Sequence, residues 1–187
     1  MSGVIAPRVA ALEQRWAGSP ALLSLYALPY RRLVRRELAL AGMGPGARIL
    51  HIGCGSLPFT AILAARLGGE VTAIDRDPAS VAGARRALAG LEAPDPAARR
   101  VCVLQADAAC DTLPPADVVL VALQAAPKRG VLANLLGQLP GARAVFRLPR
   151  PALEPEYGTL DAPEGPVAAC RHALMPTFDR SELYVLA

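Results

Sequence analysis

From Arg48 onward, short apolar runs alternate with stretches whose apolar positions recur every three or four residues. The runs Arg48–Ile52, Val71–Ile74, Val101–Gln105, Asp117–Ala122 and Ala142–Arg147 are predicted to be strands. Several are almost continuously Val, Ile and Leu, as strands covered on both faces require. Between them, Pro58–Leu67, Pro78–Leu91 and Lys128–Leu139 follow helical spacing. Gly68-Gly69 supplies a helix stop, and Asp77-Pro78 an N-cap with proline in the first turn. Strand and helix in alternation predict an α/β protein built on a doubly wound, parallel, Rossmann-like sheet with right-handed crossovers.

Two flanks fall outside that pattern. Residues 1–46 read as a helical N-terminal cap, broken at Gly18-Ser19-Pro20 and Leu28-Pro29 and ending in Gly42-Met43-Gly44-Pro45-Gly46. Residues 47–187 then form the main domain. Within it, prolines at 149, 151, 155, 163 and 166 predict an irregular loop over 148–166. Beyond that, Val167–Leu174 and Glu182–Leu186 read as a closing antiparallel strand pair around Pro176–Arg180.

Composition narrows the class. Hydrophobic residues make up 53% and charged residues 19% of the 187 positions, enough for a core and too apolar for wholesale disorder. Aromatics are 4%, so Ala, Leu and Val must fill the interior. The net charge of +4 falls short of a nucleic-acid footprint. The longest uncharged stretch, Ile49–Ala65, is interrupted by His51, Gly53, Gly55 and Pro58, so it cannot be a membrane span. No basic-then-apolar leader opens the chain, and a cytoplasmic protein is expected. Cys54, Cys102, Cys110 and Cys170 lack metal-ligand spacing, so no metal is expected and the thiols read as small buried hydrophobes.

The chemistry-bearing motif is Gly53-Cys54-Gly55-Ser56-Leu57-Pro58, between the first strand and its helix. Two glycines there let the backbone turn tightly and approach a ligand. The second strand ends in Asp75, twenty-two residues after Gly53, the place of an acid that accepts hydrogen bonds from a ribose. A dinucleotide fingerprint would have a third glycine where Pro58 stands. Proline removes an amide and weakens a pyrophosphate site, but does no harm to a ligand without phosphate. S-adenosylmethionine (SAM) is such a ligand. Gln105-Ala106-Asp107, after the third strand, would bring a polar side chain near the adenine edge, although Asp107 also fits a plain capping role.

These residues resemble class I SAM-dependent methyltransferases over about 48–147. More narrowly, Gly53-Cys54-Gly55-Ser56-Leu57-Pro58-Phe59-Thr60 resembles the Gly-Ser-Gly-Pro-Leu-Pro-Leu-Thr turn of nicotianamine synthases. So do the run from Asp117, with Lys128 following, and Leu139–Arg147 closing the fifth strand. Upstream, Leu28-Pro29-Tyr30 with Arg36-Glu37 is similar to that family's Pro-Tyr-Tyr and Arg-Leu-Glu segments, with Arg31 in place of the second tyrosine and a shorter spacing. The resemblance implies SAM as substrate, with Gly53, Cys54, Gly55, Ser56, Thr60, Asp75, Arg76, Asp107, Ala108, Leu123 and Gln124 around it. It also implies transfer of SAM's aminocarboxypropyl group with release of methylthioadenosine, instead of methyl transfer. A sulfonium has three electrophilic carbons, and the enzyme selects one by where it holds the nucleophile.

Forty residues follow Arg147, most taken by the proline-rich loop and closing strands, so no acceptor domain is expected. The partner substrate is then small, or absent, in which case SAM's own amine could close an azetidine ring, as in small SAM cyclases that this chain resembles in compactness. A homodimer is allowed; nucleic acid and membrane partners are not expected. If Pro29–Leu40 is one helix, Tyr30 and Glu37 share a face two turns apart and could orient the amine and accept its proton. A packed Tyr and an exposed, Arg-paired Glu is the plainer reading of the same spacing. Arg31, Arg32, Arg35 and Arg36 form a basic surface, read as solvated or as a carboxylate-capturing face. His51 reads as a satisfied core residue, and His172 as either a base or a surface residue. Small-molecule methyl transfer and a non-enzymatic SAM-binding module are the competing functions.

Overall fold

The computed structural model describes residues 28–91 and 95–187. The helix expected to begin at Pro29 is α1 (Leu28–Leu40), and the rest of the expected N-terminal cap, residues 1–27, lies outside the described residues. Then follow β1 (Arg48–Ile52), α2 (Phe59–Arg66), β2 (Glu70–Asp75), α3 (Pro78–Leu91), β3 (Val101–Gln105), β4 (Val118–Val121), α4 (Lys128–Gln138) and β5 (Arg143–Pro149). A short helix α5 (Glu154–Tyr157) and the strands β6 (Ala168–Arg171) and β7 (Phe178–Val185) complete the chain.

The seven strands form one sheet in the order β3-β2-β1-β4-β5-β7-β6. The first five are parallel, and β7 inserts antiparallel between β5 and β6. All four residues of β4 are buried, as its central place demands. Strand alternation splits the core in two. Ile49, Leu120, Val145 and Leu183 face α1, α2 and α3, while Leu50, Val119, Phe146 and Tyr184 face α4.

Local signals act as their chemistry requires. Asp77 caps α3, its carboxylate accepting from Ala79 N–H at 3.2 Å and Ser80 N–H at 3.0 Å. The stretch 148–166, expected to be irregular, holds the end of β5, a 3₁₀ turn at Pro151–Leu153 and α5. The final strand starts earlier than expected, at Phe178, because β5 continues to Pro149 and offers partners through Arg147↔Ser181 and Leu148↔Arg180. Among the described residues no helix is long and apolar enough to cross a membrane.

Candidate active site

The turn after β1 is built on backbone. Gly53 and Cys54 both donate their N–H to the Ile74 carbonyl, at 2.9 and 3.1 Å. Gly53 and Gly55 have φ of 78° and 63°, a region side chains resist. A Cβ on Gly53 would come within 3.2 Å of the Ala122 Cβ, so its absence lets the turns after β1 and β4 meet. A Cβ on Gly55 would meet nothing within 4 Å, which leaves open space over the backbone there. Asp75, half-buried at the end of β2, braces the turn: Oδ2 accepts from Gly55 N–H at 2.9 Å and Oδ1 from Asp77 N–H at 3.0 Å. Each oxygen retains acceptor capacity for a ribose hydroxyl.

The other expected ligand-binding residues lie in this turn and in the segments that follow β2, β3 and β4. Ser56 packs on α3 through Gly83, where a Cβ would come within 2.7 Å of the Ser56 Cβ. Cys54 is buried, and burial together with Asp75 pushes its thiol up to about 12, so it is a packing group and not a nucleophile. Arg76 donates to the Ala126 carbonyl at 3.1 Å, linking the ends of β2 and β4. Asp107 accepts from Ala109 N–H at 2.9 Å, the capping role the sequence allowed. Ala108 and Leu123 are buried, while Gln124 is exposed.

Thr60 belongs to a second cluster. Glu37, on the inward face of α1, is 0% exposed, against the exposed alternative the spacing permitted. Arg147 Nε and Nη2 donate to its two oxygens at 2.9 and 2.7 Å, a bidentate pair, and Nη1 donates to Thr60 Oγ1 at 3.1 Å. Burial disfavours the Arg147 charge, but Glu37 overrides it and holds the guanidinium above its ordinary pKa. The guanidinium lies 6.0 Å from the Tyr30 ring centroid and 5.7 Å from that of Phe178, within cation–π range. Tyr30 and Glu37 therefore do meet one site, through Arg147.

Ser181, the cross-strand partner of Arg147, donates its hydroxyl to Glu37 Oε1 at 2.7 Å. His172 Nε2 lies 2.8 Å from Ser181 Oγ, and because the serine proton is committed to Glu37, the imidazole is the donor. Sequence reasoning missed Ser181. It lies in the polar run Asp179-Arg180-Ser181-Glu182, where no apolar pattern marks a buried position.

Two further basic side chains are buried, His51 within reach of the Arg147 charge and Lys128 on α4. His51 is buried as expected but not satisfied: neither ring nitrogen has a partner among the described residues. Burial and then Arg147 push it down to about 3, so it is neutral. Lys128 is buried, donating to the Leu123 carbonyl at 2.8 Å and the Tyr157 carbonyl at 2.6 Å, and burial pushes it down to about 8. It clips α5 to the end of β4. Among the described residues no group of His, Cys, Asp and Glu is arranged to hold a metal.

No family model matches the chain. A 67-residue stretch, 35% of this chain and 25% of its relative, is 39% identical to L-histidine 2-aminobutanoyltransferase of Yersinia pestis. Three solved structures of the nicotianamine synthase MtNAS superpose with TM-scores of 0.70, 0.71 and 0.72 at 26%, 25% and 24% identity. They are a Glu-to-Gln variant, a complex with MTA and tNA, and the variant with SAM. The matches cover 91–94% of this chain and 66–71% of MtNAS. A TehB-like SAM-dependent methyltransferase from Corynebacterium glutamicum gives a TM-score of 0.58 at 18% identity, covering 90% of this chain and 100% of that one. The chain thus spans a quarter of its curated relative and about two thirds of MtNAS. Sheet order, glycine turn and these neighbours agree: the chain has the class I SAM-dependent methyltransferase fold and is similar to nicotianamine synthase.

Proposed function

We propose that this chain is an enzyme that binds SAM at the Gly53–Ser56 turn and Asp75 and reacts at the γ-carbon of its methionine part, releasing methylthioadenosine. The observation that carries this reading is Glu37, a carboxylate with no solvent exposure, anchored by Arg147 beneath Tyr30. An amine reaches such a site as an ammonium and must lose a proton before it can attack. Glu37 accepts that proton; the nitrogen lone pair forms the N–Cγ bond; the Cγ–S bond breaks and its pair stays on sulfur as a neutral thioether. Tyr30 orients the amine against Glu37. The aminobutanoyl transfer for which the Yersinia relative is named, and the MTA held by MtNAS, support the same class of chemistry. The acceptor is a small amine, with SAM's own α-amine, closing an azetidine, as the limiting case.

The test is chromatography of the nucleoside product after incubation with SAM alone and with SAM plus small amines, L-histidine among them. Methylthioadenosine is expected. S-adenosylhomocysteine as the only product would establish methyl transfer instead. Tyr30→Phe and Glu37→Gln should lower turnover by about 10²–10⁴-fold, the span of general acid–base groups. SAM affinity should change much less, since these contacts act in the transition state.

A further inference from the structure

Attack by an ammonium nitrogen releases one proton per turnover, and Glu37, which takes it, has no contact with solvent. We infer that Ser181 and His172 are positioning residues that carry this proton from Glu37 to the surface. The inference rests on the γ-carbon reading above.

An unbroken chain of hydrogen bonds runs from Glu37 Oε1 through Ser181 Oγ (2.7 Å) to His172 Nε2 (2.8 Å). Arg147 offers no parallel route, because a guanidinium has donors and no acceptor. His172 stands at the turn between β6 and β7, beside the exposed Ala173 and Leu174, so it is the chain's member nearest the surface. The groups around Glu37 are Arg147 and Ser181, which bond it from the sheet, and Cys170 and His172, which feel its charge from β6 and the turn after it; Arg36 also acts on Cys170 and His172, and Tyr30 on Arg147. Those facing His172 are Glu37 and Asp179, which favour its charge, and Arg147 and Arg36, which oppose it. Cys170 Sγ lies 3.7 Å from Nε2, and the Phe178 ring packs edge-on at 5.7 Å. Burial dominates and lowers the His172 pKa from its ordinary value, which favours the neutral ring.

The step balances without any redox partner. Once protonated, Glu37 no longer accepts from the serine, and the neutral imidazole exchanges with water from the Nε2–H to the Nδ1–H tautomer. The serine hydroxyl turns to the ring and gives its proton to the freed Nε2, and Glu37 gives its own to Ser181 Oγ. The carboxylate is restored and an imidazolium forms. The imidazolium then passes its Nδ1 proton to water, which leaves Nε2–H donating to Ser181 and Ser181 donating to Glu37, the bonding seen at rest.

His172→Gln tests this, because its amide still donates to Ser181 but cannot change protonation. Methylthioadenosine release would be followed from about pH 6 to 9, across the histidine range. The expected result is a kcat lowered about tenfold or more with KM for SAM within about twofold, a flattened pH profile, and recovery on adding imidazole. Ser181→Ala should lose as much and gain nothing from imidazole, because the break then lies inside the protein, whereas Ser181→Thr keeps a hydroxyl and should retain most of kcat. Wild-type kcat in His172→Gln, a loss that imidazole cannot restore, or equal recovery of Ser181→Ala would each overturn the relay. A wild-type enzyme that releases S-adenosylhomocysteine sinks the γ-carbon reading itself. One that releases methylthioadenosine while His172→Gln is unaffected sinks the relay alone.

Discussion

Replacing Arg147 by Met should destabilise the fold far more than the loss of a surface charge, and a second substitution should undo the damage. Arg147 gives Glu37 two charge-assisted bonds, at 2.9 and 2.7 Å, in a site where both side chains are at most 6% exposed. Each such bond contributes about 1.5–3 kcal/mol, so their sum is roughly 3–6 kcal/mol. That agrees with the roughly 3–5 kcal/mol expected when one partner of a buried pair is left alone. Glu37→Leu strands Arg147 on Thr60 and should cost a similar amount. Added together, the single losses come to roughly 6–10 kcal/mol, most or all of a typical domain's stability of about 5–15 kcal/mol. The double variant Glu37→Leu/Arg147→Met removes both desolvated charges, and Ser181 keeps His172 at 2.8 Å. It should lie within about 2 kcal/mol of wild type or above it. Urea denaturation at neutral pH, followed by circular dichroism, measures all four corners of the cycle. Single variants that each lose less than about 1 kcal/mol would show a solvated pair. A double variant that loses the full sum would show that the two side chains act independently.

Asp75→Ala should weaken SAM binding by roughly 1.5–3 kcal/mol in calorimetric titration, through lost hydrogen bonds to a charged acceptor; equal affinity would remove Asp75 from the site. NADH should bind poorly in the same titration, because Pro58 lacks the amide that a pyrophosphate needs. For Lys128, held at about 8 by burial against an ordinary 10.5, the unfolded chain binds the extra proton between those values, so stability relative to Lys128→Met should rise with pH there and be lost as pH falls through 8. A flat difference from pH 8 to 10.5 in denaturation series would contradict a desolvated ammonium at this position. His51 works in the same sense at acid pH: with its pKa pushed down to about 3, its neutral form favours folding above 6.5, and that contribution falls away as pH drops toward 3. His51→Leu should remove that acid dependence and, by deleting two unpartnered nitrogens, raise stability by about 1–3 kcal/mol.

The fold was legible because its signals are local. Continuous Val-Ile-Leu runs marked the buried strands, Asp77-Pro78 marked the start of α3, and Gly53-x-Gly55 with Asp75 marked the strand ends of the proposed nucleoside site. Helical spacing put Tyr30 and Glu37 on one face, but whether that face met solvent or sheet depended on α1 packing over α2 and β6, which no local pattern encodes. Arg147 was read as lying at a strand end; that it reaches Glu37 and Thr60 follows from tertiary placement alone. Ser181 was missed because its partner strand is antiparallel and its register is set by β5 running on to Pro149. The same long-range register turned His172 from an undecided residue into a neighbour of Glu37, two bonds away.

The two clusters also differ in how they must assemble. Asp75 reaches Gly55 across 20 positions, within a single strand–helix–strand unit. Glu37 reaches Arg147 across 110 positions and Ser181 across 144, so the centre closes only when β7 slots between β5 and β6. Contacts of such separation are slow to form, and a strand near the sheet's edge is a natural unit of partial opening. Detachment of β7 would strip Glu37 of Ser181 while leaving the glycine turn intact. Such a partly opened molecule would still hold a nucleoside, yet it would have lost its chemistry, so turnover should fail at milder denaturant than binding.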